Sequence, residues 1–130
     1  MVAWAKANSP LAALVAGRVA TRLPADPTFP FLTVRQIGGA PDGSDAPVDE
    51  PLLQWDCYGA ATAQGKVDAD QLARTLVDEL ETRNPEVVTG EGYVYGHQVL
   101  DQRSVEEPAT GWARYMVTSI ATIRALIGGA

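Results

Sequence analysis

The chain has 130 residues, room for one domain that buries roughly two thirds of its unfolded surface, and a second domain is not expected. Sixteen acidic against ten basic side chains give a net charge of -6 with both signs scattered, which argues against nucleic acid as a direct ligand because phosphate capture needs massed Lys or Arg. The single cysteine, Cys57, precludes an intrachain disulfide, and Lys6, Asn8, Ser9, Pro10 and Arg18 interrupt the opening apolar run, so neither a secretory leader nor a membrane span is expected and the protein should be cytosolic when made.

A first helix is expected over residues 10–23. Ser9 suits its cap, Pro10 its first position, and Pro24 its end. Leu11, Leu14, Val15 and Val19 form its apolar stripe, with Arg18 and Arg22 four apart beside it. Residues 31–37 have strand composition, although Phe31, Thr33, Arg35 and Ile37 share one parity and leave the inward face unsettled. Residues 38–51 carry three Gly, three Pro and the acids Asp42, Asp45, Asp49 and Glu50 without one basic residue, which predicts an exposed, mobile loop. Two readings of it stay open: a solubilising excursion, or a segment that orders against a neighbouring subunit or projects into an assembly channel.

Residues 52–58 read as a second strand in which Leu53, Trp55 and Cys57 face the core, Gln54 and Asp56 are wetter, and Gly59 stops the run. A second helix is expected from Val67 or Asp68 to Thr82. Its stripe is Leu72, Leu76, Val77 and Leu80, with Asp78, Glu79 and Glu81 largely off it and Asn84-Pro85 as its terminator. Residues 93–103 and 112–124 flank a Pro/Gly-bearing connection and read as an antiparallel hairpin, with Gly96 marking a bulge or a close approach. Met116, Ile120, Ile123 and Ile127 also fit a helical stripe. The β-branched run Val117, Thr118, Ile120, Thr122 and Ile123 favours a strand to Arg124, long enough to extend past the sheet, followed by a flexible or locally helical tail. The order helix, strand, strand, helix, strand, strand predicts an α+β, two-layer sandwich: a mainly antiparallel four-stranded sheet with two amphipathic helices on one face and edges open to another chain.

Catalytic chemistry finds little support in these residues. His97 is the only His and Cys57 the only Cys, so a His- or Cys-rich metal centre lacks ligands, and a Cys57–His97 nucleophile–base pair stands as a remote alternative to two structural roles. Gly38-Gly39 and Gly90-x-Gly92 match turns better than a phosphate loop. Trp55, Tyr58, Tyr93, Tyr95, Trp112 and Tyr115 suit packing or subunit contact better than base stacking, since Arg35, Arg103 and Arg114 do not make a basic track.

The helix near residues 11–23, the strand Leu52-Leu53-Gln54-Trp55-Asp56-Cys57-Tyr58-Gly59, the helix around residues 70–80 and the strand Gly111-Trp112-Ala113-Arg114-Tyr115-Met116-Val117 together resemble the tail terminator or tail completion proteins of long-tailed phages. The resemblance implies a structural virion protein without catalytic residues, cofactor or metal. It would act as a homo-hexameric ring in the assembled tail, and a free monomer is compatible with that. Such a ring caps the tail tube at its head-proximal end, stops tube polymerisation and offers a head-joining surface, after assembly in the host cytoplasm. The partners implied are tail tube protein and head–tail connector proteins, with DNA passing through the ring unbound and no membrane involved. A head–tail connector or other tail-associated structural protein is the alternative. By the same resemblance Arg114 and Tyr115 would help build the sheet and the ring contact. Asp42, Asp45, Asp49 and Glu50 are candidate assembly contacts from their local charge, and a lumen-facing position would repel DNA phosphates.

Overall fold

The computed structural model describes residues 1–38, 48–82, 86–88, 92–106 and 110–124. Asp42, Asp45, Asn84-Pro85 and the expected tail beyond Arg124 lie outside the described residues.

Two short helices open the fold in place of one long one: α1, Val2–Ala7, and α2, Ser9–Val15. The cap of α2 is Asn8, not Ser9; its side chain accepts a hydrogen bond from the Leu11 amide at 3.1 Å, and Pro10 follows in the first turn as expected. The expectation that this helix runs to Leu23 is wrong. It stops at Ala16, in the left-handed region with φ 50°, and Gly17 follows at φ 81°, a conformation that favours glycine. The chain then turns extended, because Val19–Ala20 (β1) finds a parallel ladder beside the next strand, Leu32 opposite Val19. Arg18 and Arg22 are therefore not a helical pair. Arg18 instead donates from Nε to the Pro30 carbonyl at 2.9 Å.

The remaining strands are β2 (Phe31–Gly38), β3 (Val48–Asp49), β4 (Leu52–Gly59), β5 (Glu86–Val88), β6 (Gly92–Glu106) and β7 (Ala113–Arg124). They form a mixed sheet of order β1-β2-β4-β7-β6-β5, with β3 also paired to β7. The α+β class holds. The four expected strands are the long antiparallel centre β2-β4-β7-β6, and the count of four missed three short strands that sequence alternation is too brief to reveal.

The strand reading of residues 112–124 is borne out, but β7 does not overrun the sheet. Its whole length is paired: β6 runs along one edge, and β4 and then β3 along the other. Asp49 opposite Ile123 and Leu52 opposite Ile120 are in one continuous register, and the Ala121 amide donates to the Pro51 carbonyl at 3.1 Å. The stretch from Val48 to Gly59 is thus one strand line, and the expected structureless loop returns to the sheet before it ends. Register shifts in β6 fall between Val94 and Gly96, where a bulge or close approach was expected, and between Val99 and Asp101.

All three helices lie on one face. The main helix, α3, spans Ala63–Thr82 and begins earlier than its apolar stripe suggests, because the Thr62 hydroxyl accepts from the Gly65 amide at 2.9 Å and caps the extra turn. Leu72, Ala73, Leu76 and Leu80 are fully buried against Trp55, Cys57, Val117, Leu32 and the α1/α2 residues Trp4, Leu11 and Val15. Glu79, expected off the stripe, is buried where α2 meets α3, and Oε1 accepts from Asn8 Nδ2 at 2.9 Å. Trp55 lies edge-on to Trp4, with ring centroids 5.8 Å apart, and its Nε1 donates to Ser119 Oγ at 2.9 Å, which satisfies both buried polar groups.

Where β4 runs into α3 the backbones touch. A Cβ on Gly59 would collide with the Gly65 carbonyl, and one on Gly65 with the Ala60 carbonyl. Gly65→Ala should therefore cost about 1–3 kcal/mol through forced backbone movement, despite the better helix propensity of alanine. A urea midpoint equal to that of the parent protein would overturn this close approach.

Candidate assembly surface

Because antiparallel partners share a face, register sorts the sheet's side chains. Leu53, Trp55 and Cys57 lie with Val34, Leu32 and Val117 under the helices. Thr33, Arg35, Gln54, Asp56, Tyr58, Arg114, Met116 and Thr118 occupy the opposite face, which no helix covers among the described residues. Gln54 and Asp56 were expected to be wetter and are buried instead. A central strand is flanked on both sides, and the row of neighbouring side chains closes over its polar groups.

Asp56 is the hub of this face. Its Oδ1 accepts from Arg114 Nε at 2.9 Å and its Oδ2 from Gln54 Nε2 at 3.0 Å, with the Asp56 and Arg114 side chains 5% and 17% exposed. The Arg114 guanidinium also sits 5.7 Å from the Tyr58 ring centroid. A groove of about 520 Å³ opens beside this cluster, lined by Arg22, Arg35, Thr33, Asp56, Tyr58 and Arg114. Arg22 and Arg35 are exposed, and neither has an ion-pair partner among the described residues.

Those of the expected contact residues that are described do not gather into one patch. Arg114 lies on the open face, tied to Asp56, whereas Tyr115, one residue on, lies on the helix side and packs against the core. Asp49 belongs to β3, opposite Ile123. Glu50 is exposed and continues the strand line of Leu52, Gln54 and Asp56 on the open face. Sequence reading missed Arg22, Arg35, Thr33 and the hub role of Asp56. The polar parity Gln54, Asp56 inside an otherwise apolar strand was the available signal, and it needed the β4–β7 register to supply Arg114.

The nucleophile–base alternative fails on distance. Cys57 lies opposite Tyr115 and His97 opposite Ala121, six positions apart on β7, about 20 Å at about 3.3 Å per residue. Burial, reinforced by the neighbouring Asp56 charge, pushes the Cys57 thiol pKa up, so it is a packing group and not a thiolate. Among the described residues no group of three or more His, Cys, Asp or Glu is placed to hold a metal, and no helix is long and apolar enough to cross a membrane.

His97 instead packs against Trp4, ring centroids 5.2 Å apart, with both ring nitrogens buried and without a hydrogen-bond partner among the described residues. Burial, and secondarily the positive N-terminal amino group, lowers its pKa from 6.5 to about 4. In the unfolded chain the imidazole charges near its ordinary value, so the His97 contribution to stability should be full above about pH 6.5, fall as pH drops towards 4 and level off below. His97→Phe should flatten that slope. Urea midpoints from pH 4 to 8 that keep the same slope in the variant would remove His97 as its source.

Comparison with known proteins places this geometry. The family model described as Tail completion protein gp17 matches residues 1–124, and the chain belongs to that family of phage tail structural proteins. A similar fold occurs in a chain of a solved structure titled the virion of a native gene transfer agent particle, with TM-score 0.62 and 19% identity over 92% of this chain and 88% of that one. No curated protein matches the sequence.

Proposed function

We propose that this single-domain protein ends the phage tail tube: six copies close into a ring at the head-proximal end, arrest tube growth and present the surface on which the filled head docks. Membership of the tail completion family over residues 1–124 carries the reading. The fold supports it physically. One face of the sheet is covered by helices and the other is polar and open, so a docked copy offers outward a surface unlike the one it docks with and does not recreate the growing end. No cofactor or catalysis is involved, and DNA crosses the lumen without specific binding. Purified protein mixed with tail tubes and free tube protein should yield six-subunit rings by native mass spectrometry and tubes that stop lengthening. Binding to a portal-side component without arrest would replace this reading with a connector. A persistent monomer that ignores tubes would end both.

A further inference from the structure

Beside the Asp101–Arg103 ion pair of β6, the open face carries its remaining charges segregated along the strand direction. The groove holds Arg22, Arg35 and the Asp56-paired Arg114. Glu50 stands at the other end, and the sequence that leads to it carries Asp42 and Asp45 with no base. Glu50 does not reach the groove of its own copy. Glu50 is held between β3 and β4, six residues from Asp56 on one strand line, about 20 Å. Even Arg35, opposite Gln54, is about 13 Å along the sheet from it. A surface that is cationic at one end and anionic at the other is complementary to a second copy placed head to tail, the arrangement that closes rings.

We propose that the arginine-lined groove of one copy is the docking site for the acidic segment, residues 42–50, of the next copy in the ring. The guanidinium groups of Arg22 and Arg35 bind the carboxylates, and the Asp56–Arg114 pair forms the groove floor. This proposal rests on the ring reading above and specifies its lateral contact. Because the exposed Arg22, Arg35 and Glu50 support no part of the core, charge reversal there leaves the fold intact, which urea midpoints verify.

The test uses the full-length chain on purified tail tubes, with rings counted by native mass spectrometry and sedimentation. R22E/R35E should reduce ring occupancy at least about tenfold, and D42K/D45K/E50K should do the same. An equimolar mixture of the two variants should restore rings of strictly alternating composition, because each groove then meets a segment of opposite charge. Rings of R22E/R35E equal to those of the parent, or a mixture that fails to recover, would overturn the groove contact while leaving ring formation itself standing. So would loss of duplex DNA binding in R22E/R35E with rings unaffected. Absence of rings from the parent protein would sink the ring reading first and this contact with it.

Discussion

Leu76→Asp should leave the protein largely unfolded at room temperature. Leu76 is fully buried in the middle of the α3 stripe, so the substitution forfeits its apolar transfer, opens a cavity and strands a carboxylate among Leu72, Leu80 and Trp55. Losing the leucine side chain alone costs about 2–5 kcal/mol, and the desolvated carboxyl adds to that, against a typical total stability of about 5–15 kcal/mol. Val67→Asp on the same helix is the matched control: Val67 is 57% exposed, and the change there should stay within about 0.5 kcal/mol. Circular dichroism melts showing the two variants equally stable would displace α3 from the core.

The second large effect is expected at the Asp56–Arg114 pair. Asp56→Ala removes the acceptor of two hydrogen bonds and leaves the Arg114 guanidinium short of its closest carboxylate in a site only 17% exposed, which should cost about 3–5 kcal/mol. Asp56→Ala combined with Arg114→Met should recover most of that loss, since burying no charge is cheaper than burying one unbalanced. Urea midpoints of the two single variants and the double variant form the cycle. Additive losses would mean that the pair is not coupled and that the salt bridge contributes little.

The sequence made the long elements legible because each carries its own signal. Residues 52–59 and 113–124 could be read as strands from β-branched and aromatic content, and the α3 stripe fixed Leu72, Leu76 and Leu80 as core before any contact was known. What escaped was set by neighbours. Val19 fits the α2 stripe by spacing, yet it belongs to β1 because the turn at Ala16-Gly17 and the edge of β2 outweigh helical propensity. Glu79 looks like a solvent residue until Asn8 arrives from α2. Asp56 looks like an ordinary wet strand position until register sets Arg114 one row away, close enough to reach it. The assembly groove was invisible for the same reason: Arg22, Arg35 and Arg114 are far apart in sequence and come together only across three strands and the segment after β1.

The position of β7 in the chain has a consequence for synthesis. It supplies Ser119 to the Trp55 indole and completes the ladders of β3, β4 and β6, yet it is translated after all of them. Until it emerges from the ribosome, the nascent chain holds β4 with one edge bare and Trp55 without its acceptor, so the sheet cannot close before then. Chains that carry β7 clear of the ribosome are thereby separated in time from those that do not, and only the former have the closed sheet on which assembly would act.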